Sequence, residues 1–326
     1  MNESLRDKSK IHFPTVNTSI LHSDFGIQHW GTALQITISH PRKREVIPMV
    51  RIVSDTSTLY STSQAREAGF DVSPLSVTIN GQTYREFDQI SSEEFVAIIR
   101  QGHMPTSSQP AIGNVSDLYE KYAGDTVLNI AMADGLSGTY NSAVAAAELC
   151  EHSENITVIN TRTLCGPHRY MVEQAVKMAH AGASADDIRA WVEEKMDTAK
   201  SFLVPADFDY LRRGGRLSPL VSYVGKAANL TPIMTQTDDG CRLTIAGIRR
   251  GFPHAVKFIA EQLKKKGIGE GWRVYISHAD AMDNAKLAMK KLSEELPGAI
   301  IEILPLSPAF ITQGVPECVA VQYVEI

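Results

Sequence analysis

The chain has 326 residues, of which 43% are hydrophobic, and its formal net charge is -5. That length predicts two domains, each with enough apolar residues to build its own core. The acidic balance argues against non-specific nucleic-acid binding, which needs an excess of Lys and Arg. No apolar run is long enough to span a bilayer and the first residues lack a secretory stretch, so we expect a cytoplasmic protein.

The four cysteines are scattered along the chain at Cys150, Cys165, Cys241 and Cys318. They lack the paired short spacing that is typical of zinc or redox motifs, so we expect buried free thiols and predict neither a metal nor a cofactor. The sequence signatures of P-loop NTPases, zinc proteases and serine esterases are also missing. Composition and motifs therefore do not indicate a common enzyme class.

The pattern of apolar residues changes abruptly at residue 49. Residues 1–48 are polar and weakly periodic, and we interpret them as an N-terminal extension, either poorly structured or a small accessory element. Residues 50–53 then predict a buried strand and residues 61–68 a helix. We predict an N-terminal α/β domain over residues 49–200 and a C-terminal α/β domain over residues 201–326.

Strands and helices alternate in the first predicted domain. Residues 72–79 alternate as a strand would, Asn80-Gly81 is a turn signal, and Ser91-Ser92-Glu93-Glu94 predicts a helix start. The other predicted elements are strands over 82–85, 126–132 and 156–159 and helices over 95–100, 115–122, 143–149, 167–181 and 184–200. This succession predicts a mostly parallel sheet flanked by helices, with ligands bound at the carboxyl ends of its strands.

A row of hydroxyl side chains, Thr106, Ser107 and Ser108, lies between Pro105 and Pro110. The prolines favour an extended backbone, because they disfavour helix at the residues that precede them. Three hydroxyls in a stiff segment suit a polar ligand. The competing interpretation is a solvated turn.

Residues 134–142 join a predicted strand to an alanine-rich helix. Gly135 and Gly138 allow a tight turn, and Ser137 and Thr139 can cap the helix or bind a ligand. The first turn of a helix has unpaired N–H groups and a partial positive charge, which stabilise an anion. This junction predicts an anion site, with ordinary N-capping as the competing interpretation.

Three arginines flank two glycines in Arg212-Arg213-Gly214-Gly215-Arg216. Arginine forks bind carboxylate or phosphate, whereas Arg212 alone would be explained by a helix C-terminus. The other elements predicted in this part are strands over 202–204, 232–235, 242–248, 273–277, 300–304 and 319–324 and helices over 221–230, 251–263 and 283–296.

Two residues are candidate general bases if the chain is an enzyme. Asp55 follows the first predicted strand, and His278 lies beside Asp280. Neither is tied to a nucleophile by a known motif. A stand-alone hydrolase or transferase acting on a small acyl or phosphate compound is therefore the competing hypothesis.

Several ordered motifs carry a family resemblance. They are Ile52-Val53-Ser54-Asp55-Thr56-Ser57, Gly81-x-x-Tyr84 before Glu94-Phe95, Ser107-Ser108-Gln109-Pro110, Gly135-Leu136-Ser137-Gly138-Thr139-Tyr140, Tyr210-Leu211-x-Arg213-Gly214-Gly215-Arg216 and Asn229-Leu230-x-Pro232-Ile233. With these motifs the chain from residue 49 onward resembles the DegV family of bacterial fatty-acid-binding proteins. Residues 1–48 lie outside the resemblance.

The resemblance implies a two-domain α/β protein that encloses one long-chain fatty acid in a tunnel between its domains. A carboxylate taken out of water must recover its hydrogen bonds, and several neutral donors can supply them. The carboxylate-binding residues that the resemblance implies are Ser107, Ser137, Arg213 and Arg216, with Ser108, Thr139, Asp55, Thr312 and Gln313 in support.

The resemblance also implies a partner. A separate ATP-dependent fatty-acid kinase would phosphorylate the bound acid, giving an acyl-phosphate for phospholipid synthesis. The chain would then be a lipid-binding carrier subunit without a cofactor, and not an enzyme. A regulatory lipid-binding module without any kinase is a third hypothesis.

The chain departs from the family pattern near its C-terminus. The family often carries His-Thr-Gly-Pro-Gly there, with the histidine on the carboxylate, whereas residues 311–317 read Ile-Thr-Gln-Gly-Val-Pro-Glu. We expect Thr312 or Gln313 to donate in place of the histidine, and Glu317 to oppose an anion.

Overall fold

The structure, a computed structural model, describes residues 49–219, 221 and 230–326, apart from the side chain of Asp209. The predicted extension at residues 1–48 lies outside the described residues. So does most of the helix predicted over residues 221–230, including Asn229 of the last motif. The domain boundary predicted between residues 200 and 201 stays a prediction.

The described residues form thirteen strands. They are β1 Val50–Asp55, β2 Asp71–Ser73, β3 Ser76–Ile79, β4 Gln82–Arg85, β5 Thr106–Ser108, β6 Thr126–Ala131, β7 Ile156–Asn160, β8 Lys200–Val204, β9 Leu230–Gln236, β10 Leu243–Arg250, β11 Trp272–His278, β12 Ile300–Pro305 and β13 Val319–Glu325.

Ten α-helices accompany these strands in the described part of the chain. They are α1 Thr62–Glu67, α2 Ser92–Arg100, α3 Ile112–Glu120, α4 Thr139–Leu149, α5 Cys165–His180, α6 Ala185–Met196, α7 Phe208–Arg213, α8 Phe252–Lys265, α9 Met282–Glu295 and α10 Pro308–Gly314. None of the helices described is long and apolar enough to cross a membrane.

The first sheet has the strand order β2-β1-β6-β7, and all its neighbouring pairs are parallel. β1 and β6 are buried along most of their length, as expected for a parallel sheet whose two faces are covered by helices. The prediction of a parallel sheet flanked by helices is confirmed. β1 and β6 end side by side, so the segments that follow them meet at one edge.

Two further sheets complete the fold. A six-stranded sheet has the order β10-β9-β8-β13-β11-β12, in which only β11 and β12 are parallel. A small antiparallel sheet, β4-β3-β5, carries the hydroxyl row at residues 106–108. That row is extended, as the flanking prolines predict.

The single strand predicted over residues 72–79 is wrong. Its first part is β2 of the parallel sheet, and its second part is β3 of the small antiparallel sheet. Pro74 lies between them and has no N–H for a strand ladder, which explains why the chain leaves one sheet and enters another there.

Helix α5 lies against the parallel sheet and the six-stranded sheet at once. Its buried residues Met171 and Val172 share one hydrophobic core with Tyr275 of β11 and Val324 of β13. A close approach makes this packing tight: a Cβ on Gly166, the second residue of α5, would overlap the ring of Tyr275. The two parts of the chain are therefore joined by a continuous core.

Gly166→Ala should destabilise the protein by about 1–3 kcal/mol, because a methyl group is forced against a packed aromatic ring. Gly113→Ala is the matched control, since Gly113 is also the second residue of a helix and a Cβ there meets nothing within 4 Å. Alanine favours helix over glycine, so the control should be neutral or slightly stabilised. Urea unfolding measures both, and equal stabilities would contradict the packing described.

Candidate functional site

A cavity lies where the three sheets meet. Its accessible volume is about 110 Å³, and about 870 Å³ when the open space at its mouth is included. Most of its described lining is apolar and comes from both parts of the chain. Examples are Leu75, Met132, Leu164, Leu203, Leu306 and Phe310.

Ser107, in the middle of β5, lines this cavity. Ser108 is exposed and does not line it, because successive side chains of a strand point to opposite faces. Ser107 Oγ accepts a hydrogen bond from Thr312 Oγ1 at 3.3 Å, a longer branch of the bond that Thr312 donates to the Ala309 carbonyl at 2.6 Å. Ser107 therefore keeps its own proton for a ligand in the cavity.

Ser137 also lines the cavity, directly before the N-terminus of α4. Its Oγ accepts a hydrogen bond from the Thr139 N–H at 3.3 Å and lies 2.8 Å from Thr139 Oγ1. Thr139 is buried and holds the Ser137 hydroxyl in place. The two interpretations of this junction are thus compatible, because Ser137 bonds the helix N-terminus and faces the cavity.

The segments that carry Ser107 and Ser137 touch through Gln109 and Gly138. A Cβ on Gly138 would overlap Oε1 of Gln109, the end of a flexible, exposed side chain that would have to turn away. Ser107 and Ser137, 30 residues apart in the sequence, line one cavity.

Arg216 is the charged side chain of the described lining. Its Nε donates to the Leu136 carbonyl at 3.1 Å, and its Nη1 donates to the Gly214 carbonyl. Burial, and then the nearby Arg242, lower the pKa of Arg216 from its ordinary value, although an arginine stays charged in proteins. A guanidinium has five N–H donors, so donors remain for an anion beside Ser137.

Arg213 lies outside the cavity lining. Its side chain is exposed, with Nη1 3.8 Å from Met104 Sδ and the guanidinium 5.9 Å from the centre of the Tyr210 ring. The structure therefore does not bring Arg213 together with Ser107, Ser137 and Arg216.

Helix α10 supplies the third side of the site. Gln313 lines the cavity, and its Nε2 donates to Thr312 Oγ1 at 2.9 Å. A Cβ on Gly214 would overlap Oε1 of Gln313, so the arginine–glycine turn packs directly on α10. Glu317, expected to oppose an anion, is exposed and lies outside the cavity lining, so that expectation is not met by the geometry.

The two candidate bases lie away from this cavity. Asp55 is buried, and its carboxylate accepts the N–H groups of Ser57 at 2.9 Å and Met132 at 3.0 Å. It therefore ties the end of β1 to the end of β6 and positions Met132. His278 lies at the end of β11 in a separate pocket, where its Nδ1 accepts the Ala281 N–H at 3.1 Å and burial lowers its pKa.

Glu86 is a residue that the sequence analysis missed. Its side chain is fully buried and accepts hydrogen bonds from Thr56 Oγ1 and, at 2.8 Å, from the Ala309 N–H at the start of α10. Burial, opposed in part by those hydrogen bonds, raises the pKa of Glu86 to about 7. Glu86 therefore links the first part of the chain to the helix that carries Gln313.

Among the described residues, no group of three or more His, Cys, Asp or Glu side chains is arranged to hold a metal ion. Cys165 and Cys318 are buried in the cavity lining as free thiols. Burial raises the pKa of both. They therefore act there as small apolar groups.

The sequence is similar to that of known proteins. A family model described as "Uncharacterised protein, DegV family" matches residues 49–325. A DegV domain-containing protein of Caldanaerobacter subterraneus subsp. tengcongensis is 32% identical over 234 residues, 71% of this chain and 82% of the relative. A DegV domain-containing protein of Staphylococcus aureus is 28% identical over 246 residues, 74% of this chain and 87% of the relative.

Solved structures show the same fold. A structure that describes fatty acid binding of a DegV family protein from Thermus thermophilus has a TM-score of 0.77 at 25% identity, covering 85% of this chain and 100% of that one. A DegV lipid-binding protein from Thermotoga maritima has a TM-score of 0.75 at 25% identity, covering 85% of this chain and 99% of that one.

The variant Glu86→Gln should remove a part of the pH dependence of stability. Folding raises the pKa of Glu86 from 4.5 to about 7. The free energy of unfolding that this shift contributes is about 3 kcal/mol. It is fully present below pH 4.5 and is lost as pH rises through about 7. The wild type should therefore lose stability relative to the variant between about pH 5 and about pH 7.

Urea unfolding of both proteins across this pH range measures the difference. His168 is also buried, and burial lowers its pKa, but both proteins keep it and its contribution cancels. Parallel pH profiles for the two proteins would contradict the buried, proton-binding state of Glu86.

Proposed function

Because the chain belongs to the DegV family, we propose that its cavity binds one long-chain fatty acid, with the carboxylate at Ser107, Ser137 and Arg216. One observation carries the proposal: Arg216, the charged residue of the described lining, shares a mostly apolar cavity with Ser107, Ser137 and Gln313. The Thermus thermophilus relative is described as binding fatty acid. The chemistry of the lining suits the same class of ligand.

The carboxylate end is matched by donors. A carboxylate removed from water must recover hydrogen bonds, and bonds to a charged partner are about twice as strong as neutral ones. Arg216 supplies the charge, Ser107 and Ser137 supply hydroxyl protons, and Gln313 retains an amide proton beyond the one given to Thr312. The α4 N-terminus after Ser137 adds a partial positive charge.

A bound fatty acid would also offset an electrostatic cost of burying Arg216. Arg216 is half-buried, and the positive charge of Arg242 lies near enough to lower its pKa. A bound anion would neutralise this region, because opposite charges at close range favour the charged form of each. In this proposal Gln313 takes the place of the histidine that is often found in the family, and Thr312 orients it.

The acyl tail would be held by the apolar walls. Leu75 and Met132 from the first part of the chain and Leu203, Leu306 and Phe310 from the second line the cavity. Each methylene moved from water into such surroundings is worth about 0.8 kcal/mol. The tail would therefore supply most of the affinity, and the polar end would fix the orientation.

We propose further that the bound acid is presented to a separate ATP-dependent fatty-acid kinase. The family resemblance supports this step, and the position of the carboxylate site supports it as well. Ser107 and Arg216 are each only partly buried, so their end of the cavity lies near solvent.

Arg213 is exposed on the same arginine–glycine turn as Arg216. It stays a predicted ligand residue, although its side chain lies outside the cavity lining.

Arg216→Gln should weaken binding of oleic acid by about 10- to 100-fold, the usual worth of a hydrogen bond to a charged group. Ser107→Ala and Ser137→Ala should each weaken it by about 3- to 10-fold. Arg250→Gln is the matched control. Leu243 at the start of β10 donates its N–H to the Arg216 carbonyl, whereas Arg250 is exposed at the other end of that strand. Isothermal titration with delipidated protein measures the affinities, and equal affinities for all four variants would overturn the site.

Acyl-phosphate should form only when the loaded protein, ATP and a bacterial fatty-acid kinase are mixed. Hydroxylamine traps the product as a hydroxamate, which mass spectrometry detects. Omitting any one component should abolish the signal. Product from the loaded protein and ATP alone would instead make this chain an enzyme.

A further inference from the structure

A row of polar side chains crosses the cavity wall on three neighbouring strands. Gln322 of β13 lies opposite Ser201 of β8. On β9, Thr235 lies opposite Phe202 of β8, and Gln236 is the residue after Thr235. All three polar residues line the cavity, although each is less than a tenth exposed. Polar groups this deep in an apolar wall need partners.

Gln322 has its partners within the protein. Its Oε1 accepts the Ser277 hydroxyl at 3.0 Å, and its Nε2 donates to the Leu164 carbonyl and to Ser201 Oγ, both at 3.3 Å. These bonds attach β13 to the loop before α5. Gln322 is therefore a structural residue of the cavity wall.

Ser201 and Gln236 are only half satisfied. Ser201 Oγ accepts from Gln322, but its proton goes to no acceptor among the described residues. Gln236 Nε2 donates to the Arg162 carbonyl at 3.0 Å, while its Oε1 has no donor among those residues. One unused donor and one unused acceptor thus lie on adjacent strands of the same wall.

This pair is remote from α10. The Gly314 carbonyl at the end of α10 accepts the N–H of Ala206, just beyond β8. Ser201 is five residues before Ala206 on a mostly extended chain, which places them roughly 15 Å apart. On its other side the pair is nearer to the carboxylate site, because Gln236 lies opposite Leu243, whose N–H donates to the Arg216 carbonyl. Two strand spacings of roughly 5 Å each separate Gln236 from the Arg216 backbone, a distance that an acyl chain spans with about half its length.

We propose that Ser201 and Gln236 form a second binding position for a hydroxyl group carried by the acyl chain, so that the ligand is a hydroxylated long-chain fatty acid. An alcohol oxygen accepts one hydrogen bond and donates one. It would accept the Ser201 proton and donate its own proton to Gln236 Oε1. A second carboxylate does not fit, because it has no proton for the glutamine oxygen.

This inference rests on the proposed function. It is tested by isothermal titration of the delipidated full chain with stearic acid and with a series of hydroxystearic acids that differ in the position of the hydroxyl. One isomer with a mid-chain hydroxyl should bind about tenfold more tightly than stearic acid, the worth of one to two neutral hydrogen bonds.

Ser201→Ala should abolish this preference while stearic acid binds as tightly as before. Ser277→Ala is the matched control, because Ser277 bonds the same Gln322 from outside the cavity lining and should keep the preference.

Binding of stearic acid with no preference for any isomer would overturn the second position and leave the proposed function intact. An equal loss of preference in the two serine variants would overturn it too, since the effect would then come from Gln322. If neither stearic acid nor any isomer binds, the proposed function fails and this inference fails with it.

Discussion

The hydrogen bond from the Arg216 guanidinium to the Leu136 carbonyl, 3.1 Å long, connects the arginine–glycine turn to the hydroxyl junction. Ser137 follows Leu136 directly, so the same contact places a positive charge beside a hydroxyl and a helix N-terminus. A half-buried charge in a mostly apolar wall is unfavourable unless an anion accompanies it. The proposed ligand follows from this constraint: an anionic end and a long apolar tail.

Helix α10 depends on a buried carboxyl group. Glu86 accepts the Ala309 N–H and the Thr56 hydroxyl, and so connects the start of the helix to the end of β1. Gln313, near the other end of that helix, faces the carboxylate site. The protonation state of Glu86 and the position of Gln313 are thus linked through one short helix. The cavity is shaped by buried polar groups as much as by its apolar residues.

The sequence predicts features that depend on local patterns. Strand and helix periodicity predicts the parallel sheet, and the turn residues around Ser107 and Ser137 mark segments that meet in one cavity. The short helix at Pro308 was missed, although a serine followed by proline is a helix-start signal. Glu86 and Gln236 were not predictable, because each is a single polar residue whose importance comes from burial by distant parts of the chain.

Identification of the ligand that the protein retains tests the central claim most directly. The protein would be expressed in bacteria, purified without detergent, denatured, and its extract analysed by mass spectrometry. We predict a long-chain fatty acid in near-stoichiometric amount, and much less of it from Arg216→Gln. An extract without fatty acid, from a protein that also fails to bind added oleic or hydroxystearic acid, would contradict the account.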